Sequence, residues 1–338
     1  MKVVIGERNV LPHKELFLSL LDTADLEFSW HESFDESRLV DDIGDADVYI
    51  GGRVTPAMAR AGTGLRLVLA VGAGTDKVST ADLPAGTMVA NTFHHEDAIA
   101  EYVVSSAVML RRGLLRQDAE LRRNNWATSV YRDGLAQPHT LRNAMIGYVG
   151  FGHIGRRSAE LFAAFAARGC AVTGSGRITE PAGLEWYSNT DELKRLMHES
   201  DVVVVSAPLN ERTEGMIGAE ELSCLGSDGI LINVGRGPLI AERDLYESLR
   251  DNVIGGAAID VWYRYPAGGD RAEPSDLPFA QLPNLLMTPH TSGVSAETFV
   301  GRVHDVADNI RRLVDGRPLD RIVWPPAGSN PATSVDTV

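Results

Sequence analysis

Gly150-Phe151-Gly152-His153-Ile154-Gly155 follows an apolar run, Met145-Ile146-Gly147-Tyr148-Val149, and opens a helix-forming stretch from Arg156 to Ala167. Strand, glycine turn and helix in that order make a dinucleotide-binding unit. The first glycine permits the tight turn. The second lets the backbone approach a pyrophosphate, and the third lets the helix pack on the strand. The helix start, with His153 and Ile154, offers unpaired N–H groups and a partial positive charge to phosphates. A bare GxGxxG string is weak, because a structural glycine turn reads the same way. The strand before it and the helix after it favour nucleotide binding. Gly150, Gly152, His153, Ile154 and Gly155 are therefore candidate cofactor contacts.

Around this unit lie 338 residues, enough for about two domains. A hydrophobic content of 44% supplies their cores. No apolar run approaches the ~18 residues that span a membrane. Met1 to Gly6 lacks the long apolar segment of a signal peptide and reads as a first strand. Two cysteines, Cys170 and Cys224, make neither a disulfide framework nor a metal set, so the cytoplasm is the expected compartment. A net charge of −14 argues against a general nucleic-acid binder. It leaves a small anionic substrate open, because one local arginine can dominate a pocket.

Working outward in the chain, strand signals fall at Val3–Gly6, Asp47–Gly51, Leu67–Val71 and Met88–Asn91. Asp97 to about Asn124 reads as one long helix with Ile99, Val103, Ala107 and Leu110 on one face. After the glycine turn, strands are expected at Ala171–Gly174, Val202–Ser206, Gly229–Val234, Val253–Ile259 and Leu285–Thr288, and a last helix at Ser295–Val314. Strands spaced by helices predict an α/β fold with parallel sheets and helices on both faces. The nucleotide unit sits mid-chain, so the last helix is free to return to the first domain. Crossings near residues 92–98 and 289–294 then act as hinges beside a cleft.

Five further segments carry chemistry. They are Val71-Gly72-Ala73-Gly74-Thr75-Asp76, Ser206-Ala207-Pro208-Leu209, Ile232-Asn233-Val234-Gly235-Arg236-Gly237, Ala257-Ala258-Ile259-Asp260-Val261-Trp262 and Thr288-Pro289-His290. With Ala100-Glu101 they strongly resemble the D-isomer-specific 2-hydroxyacid dehydrogenases, over about residues 45 to 318. The resemblance implies two Rossmann-like domains with parallel sheets, separated by a cleft. Residues 1–97 with 291–325 would bind substrate, 98–290 the dinucleotide, and 326–338, rich in Pro, Ser and Thr, would be disordered.

Hydride transfer to a 2-oxo acid needs a held carboxylate, a polarised carbonyl and a proton for the new alkoxide. Arg236 has a forked, permanently charged guanidinium for the first two. His290, at a strand end, has an imidazole that titrates near neutral pH. The bland alternatives are a surface ion pair and a solvated histidine. The resemblance assigns the substrate carboxylate to backbone N–H groups at Ala73 and Gly74, and the nicotinamide carboxamide to Asp260. The alternative for Asp260 is a turn cap. Ala207 and Pro208 would wall the adenine, with Thr213, Val234, Gly235, Ser292 and Gly293 completing the cofactor set. Arg53 is a second anion contact or a solvated loop charge.

Three positions depart from the family pattern. A glutamate commonly stands five residues after the aspartate, where it orients the histidine and raises its pKa. Here Tyr265 stands there, and a phenol carries no charge at neutral pH. The expectation is an Arg236–His290 dyad with Tyr265 orienting, and activity favouring lower pH. About 20 residues past the glycine turn an acid normally binds the ribose of NAD. Gly176 stands there, with Ser175 and Arg177 able to hold a 2′-phosphate, so NADP is expected ahead of NAD. Ala166-Ala167-Arg168 reads as a small insertion before that strand. Lastly, His95 stands where many relatives have asparagine. Adjacent His94 and His95 make a poor metal pair, so no metal is expected, and each either lines the cleft or starts the helix.

The leading expectation is NAD(P)H-dependent reduction of a small 2-oxo acid, such as glyoxylate or hydroxypyruvate, to the D-hydroxy acid. One alternative is oxidation of formate or phosphite in the same cleft, which needs no acid–base proton transfer. Another class is a nucleotide-sensing regulator on the same fold. The 97–124 helix region resembles the family's dimerisation element, so a homodimer is expected, with neither nucleic acid nor membrane as partner.

Overall fold

The computed structural model describes residues 1–22, 24–181, 183–266 and 270–324. The expected disordered tail at 326–338 lies outside them. The chain forms two compact units, Met1–His95 with the segment from Val294 onward, and Glu96–Gly293. The first unit opens with β1 (Lys2–Ile5), β2 (Glu27–Trp30), β3 (Val48–Ile50), β4 (Leu67–Leu69) and β5 (Met88–Ala90). The second holds β6 (Met145–Val149), β7 (Arg168–Thr173), β8 (Leu184–Asn189), β9 (Val202–Val205), β10 (Ile230–Asn233), β11 (Gly256–Ile259) and β12 (Leu285–Met287). The chain then returns to the first unit for β13 (Ile322–Trp324).

The first sheet has the order β13-β5-β4-β3-β1-β2 and is parallel except for β13, which runs antiparallel to β5. The second, β12-β11-β10-β9-β6-β7-β8, is wholly parallel. Their near-continuous apolar strands follow from burial on both faces. On β9, Val202 and Val204 enter one core while Val203 and Val205 enter the other. On β1, Val3 and Ile5 face one core and Val4 the opposite one. The last helix, Ala296–Val314, is capped by the Ser295 side chain on the Thr298 N–H. It buries Phe299, Val303, Val306, Ala307, Ile310 and Leu313 in the first unit's core, at helical spacing.

Three expectations need correction. The 97–124 segment is two helices, Glu96–Arg111 and Leu114–Leu121, because Gly113 takes φ +62° and ends the first. The helix after the glycine turn is His153–Ala163, starting earlier and stopping short of Ala166, which has φ +56°. Arg168 is the first residue of β7, pairing with Met145, so it belongs to the sheet rather than to an insertion. The sequence also concealed β2, β8 and β13, which are edge or near-edge strands.

Candidate active site

In the second sheet the chain leaves β6, lays down β7 and β8 on one side, then returns to place β9 on the other. The carboxyl ends of β6 and β9 thus flank a topological switch point, where open α/β sheets bind ligands. Gly150, just past β6, has φ +91°, and a Cβ there would lie 2.8 Å from the Ala207 nitrogen. Only glycine fits. Gly155 would place a Cβ 2.9 Å from the Gly150 carbonyl oxygen, so helix and turn touch directly. Gly152 caps the helix that begins at His153 with no side chain of its own. The Ser206 hydroxyl donates to the Gly150 carbonyl at 3.1 Å, tying the two strand ends together. Beyond Ala207 and Pro208, Thr213 accepts from the Asn210 N–H at 2.8 Å and donates to the Pro208 carbonyl at 2.7 Å, which closes that loop. An open cradle at the start of an eleven-residue helix suits a pyrophosphate.

The loop after β7 carries Ser175, Gly176 and Arg177. Gly176 has φ +66°, and a Cβ would meet the Asn189 nitrogen at 3.1 Å. Ser175 Oγ accepts from the Arg177 N–H at 3.2 Å, and both side chains are exposed. The left-handed backbone at position 176 thus favours a glycine there.

Arg236 follows β10 in a turn shaped by Asn233. The buried Asn233 carboxamide accepts from the Gly235 N–H at 3.1 Å and donates to the Arg236 carbonyl at 3.0 Å. Arg236 Nη1 donates to the Gly235 carbonyl at 2.8 Å. A Cβ on Gly237 would lie 2.5 Å from the Trp262 carbonyl oxygen, so this turn rests on the loop after β11. Trp262 in turn donates its Nε1–H to the Thr288 carbonyl at 2.8 Å. Through Trp262 the Arg236 turn and the His290 loop become one assembly.

Asp260 fixes that second loop. Fully buried, it accepts from the Thr291 N–H at 2.8 Å, the Ser292 N–H at 2.9 Å and the Thr288 hydroxyl at 2.6 Å. Thr288 has one hydroxyl proton, so the Tyr102 phenol, 2.9 Å away, donates to it. Burial raises the Tyr102 pKa and keeps that proton in place. His290 lies inside this bracket with φ +58°, a left-handed conformation uncommon for a residue with a side chain. The Tyr265 ring stands 5.6 Å from the imidazole, tilted 52°, while its hydroxyl accepts from the Trp262 N–H at 3.1 Å. Arg236, Tyr265 and His290 are thus gathered at one end of the second sheet.

Ala73, Gly74 and Arg53 belong to the first unit. Four successive carbonyls of the loop after β4 are held. The Thr92 hydroxyl donates to Ala70 at 3.2 Å, Arg302 Nη1 to Val71 at 3.2 Å, the Thr92 N–H to Gly72 at 3.2 Å and Asn91 Nδ2 to Ala73 at 2.9 Å. Among the described residues, the N–H groups of Gly72, Ala73 and Gly74 donate to no protein acceptor. Successive N–H groups left this way form an anion-binding concavity. Arg302, on the last helix, also donates Nε–H to the Phe93 carbonyl at 3.0 Å. His94 has φ +65° and its Nε2 lies 2.8 Å from Asp305, so its ring packs on the last helix. His95 is buried and stacks on Phe93 at 6.0 Å. Among the described residues no group of three metal-ligating side chains assembles.

The sequence model of the D-isomer specific 2-hydroxyacid dehydrogenase NAD-binding domain matches residues 104–292. This chain belongs to that family. The glycerate dehydrogenase of Methylorubrum extorquens is 31% identical over 260 residues, 75% of this chain and 77% of that protein. The (S)-sulfolactate dehydrogenase of Chromohalobacter salexigens is 29% identical over 222 residues, 65% and 67% of the two chains. A solved NADPH-dependent glyoxylate/hydroxypyruvate reductase from Sinorhizobium meliloti, in complex with NADP and malonate, shares the fold. Its TM-score is 0.75 at 23% identity, covering 95% of this chain and 96% of that one. Membership makes the protein an oxidoreductase with a nicotinamide dinucleotide, and the cradle at Gly150 fits that group.

As a member of this family, the chain has supporting residues that its motifs do not advertise. Asn233 carries a local signal, a polar amide at a strand end two residues before a glycine. Arg302 and Tyr102 carry none, since their partners lie 231 and 186 residues away in the chain.

Proposed function

We propose that this dehydrogenase reduces a small 2-oxo acid to its D-2-hydroxy acid, with NADPH preferred over NADH. The dinucleotide supplies the hydride. The N–H groups of Gly72, Ala73 and Gly74 hold the substrate carboxylate, and the Arg236 guanidinium binds carboxylate and keto oxygen, polarising the carbonyl. His290 Nε2–H or Nδ1–H gives its proton to the oxygen as it becomes an alkoxide. The observation that carries this reading is the single assembly in which Trp262 joins the Arg236 turn to the loop that Asp260 holds around His290. Asp260 has one acceptor site left beyond its three bonds, room for a carboxamide N–H. Gly176 and Arg177 support NADP, because glycine stands in the sequence about where an acid would bind the ribose of NAD, with an arginine beside it.

The protein acts as a homodimer in this reading. Helix Leu114–Leu121 buries no residue, and Trp126, Val130 and Tyr131 beyond it are 61%, 76% and 70% exposed, an apolar face suited to a second copy. Free Cys170 and Cys224 fit the cytoplasm.

Initial rates over glyoxylate, hydroxypyruvate and 2-oxobutyrate with both dinucleotides, and formate oxidation in parallel, test the proposal. Ketoacid turnover with higher kcat/KM for NADPH is the expected outcome. His290→Asn and Arg236→Gln should then each lower it by ~10²–10⁴-fold while NADPH still binds. Turnover of formate alone would replace the proposal, a reading that Tyr265 in place of the acid favours. Binding of NADPH with no turnover at all would leave a regulator.

A further inference from the structure

Tyr102 lies on the helix Glu96–Arg111 of the second unit, and its ring packs against the core that contains Ile99, Val103 and Ala258. A phenylalanine would fill the same space. The hydroxyl therefore serves a partner rather than the core, and that partner is Thr288, 2.9 Å away. Burial raises the pKa of the phenol, and the Asp260 charge acts in the same direction, so the phenol remains a donor well above neutral pH.

Thr288 leads directly into Pro289-His290. Pro289 has no N–H, so on that side of His290 the loop is held at Thr288. The Thr288 N–H donates to the Ile259 carbonyl at 3.1 Å, its carbonyl accepts from Trp262, and its hydroxyl donates to Asp260. On the other side the Thr291 and Ser292 N–H groups end on the same carboxylate. Asp260 thus gathers the loop from both ends. Two of its three bonds come from backbone N–H groups, whose direction the chain sets. The third comes from a hydroxyl, which rotates. A hydroxyl that accepts one hydrogen bond donates the next more strongly, so the phenol strengthens the bond from Thr288 to Asp260. It also ties that hydroxyl to a helix whose place the core fixes.

We propose that Tyr102 is a positioning residue for the proton donor. It secures the Thr288 hydroxyl on Asp260, and that bond secures the approach to His290, whose left-handed backbone relies on its anchors. The inference rests on the reductase reading above, in which His290 protonates the alkoxide. Without the phenol hydroxyl, Thr288 keeps its backbone bonds and loses its tie to the helix, so the imidazole spreads over more positions. The loss falls on the chemical step rather than on substrate binding, because a misplacement of about 1 Å can slow a reaction ~10²-fold.

Three measurements test this: single-turnover oxidation of NADPH by glyoxylate, the KM for glyoxylate, and the carbon-bound proton signals of the His290 ring, assigned by their absence in His290→Asn. Tyr102→Phe should lower the single-turnover rate ~10-fold and leave KM within ~2-fold. It should broaden or split the His290 signals while those of the other histidines stay in place. Thr288→Val should do the same or more, and Thr288→Ser, which keeps the hydroxyl, should stay near the wild-type rate. Because Tyr102 acts through Thr288, the double variant Tyr102→Phe/Thr288→Val should be no slower than Thr288→Val alone. Additive losses, a rise in KM at constant rate, or His290 signals unmoved by Tyr102→Phe would overturn the inference. So would a Tyr102→Phe chain that does not fold, since the residue would then be structural. If the wild type reduces no ketoacid, the reductase reading fails, while the His290 signals in the two single variants still decide whether Tyr102 holds the loop.

Discussion

Each sheet reverses its strand order at a switch point, between β6 and β9 in the second unit and between β1 and β3 in the first, and different structures stand at the two places. In the second unit, β6 leads through a glycine turn into an eleven-residue helix, which leaves backbone N–H groups at its start. In the first unit, β1 is followed by the 3₁₀ segment Arg8–His13 and β3 by the six-residue helix Pro56–Ala61. Neither aligns enough peptide dipoles to act as the longer helix does. The first unit leaves its backbone N–H groups in the 70–74 loop instead, whose carbonyls are held by Asn91, Thr92 and, from the last helix, Arg302. A helix start and a braced loop are two ways of leaving N–H groups for an anion.

This contrast breaks most easily at its glycines. Gly150→Ala adds a methyl group at φ +91° against the Ala207 backbone, whereas Gly52→Ala in the first unit enters open space. The first should cost ~2–4 kcal/mol of stability and most NADPH affinity, the second under ~1 kcal/mol. Thermal unfolding with an NADPH titration checks both, and equal losses would erase the distinction.

Next in size is Arg302→Met, which frees the Val71 and Phe93 carbonyls. The carboxylate loop should loosen, raising KM for the ketoacid ~10-fold with kcat little changed, and Arg302→Lys should recover part of it. A fall in kcat at constant KM would place Arg302 in the chemistry instead.

The smallest effect sharpens the second unit. Tyr265 carries no charge at neutral pH, so it does not favour imidazolium as a carboxylate would. Reduction needs the protonated His290 ring, so kcat/KM should fall as pH rises through the titration of that ring. Tyr265→Glu places an anion beside the ring, favours imidazolium, and should move the falling limb upward by about one pH unit. A limb that stays where it was would show that the side chain at 265 does not tune the imidazole.

Much of this molecule is legible in the sequence because its information is local. Val202 to Val205 reads as a strand buried on both faces, and Gly150 to Gly155 states its turn, though the helix it opens starts at His153 and ends at Ala163 rather than running from Arg156 to Ala167. The Ser295 cap marks the last helix to within a residue. What stays hidden is pairing without a local signature. Glu27-Phe28-Ser29-Trp30 looks like a loop until it pairs with β1 in parallel register. Gly113 sits in a run whose apolar period continues beyond it, so the break appears only from its left-handed backbone. The aspartate at 260 was read through a ligand contact, and its three bonds to its own protein follow from a fold that brings β11 beside β12.

Those three bonds have a bearing on how the enzyme is timed. Asp260 shapes the loop around His290 through donors of the protein itself, so the fold supplies the unusual backbone at His290. If His290 is the proton donor proposed above, its reorganisation energy belongs to folding rather than to the catalytic cycle. The amide protons of Thr291 and Ser292, bonded to a buried carboxylate, should exchange with solvent as slowly in the apoprotein as in the loaded enzyme.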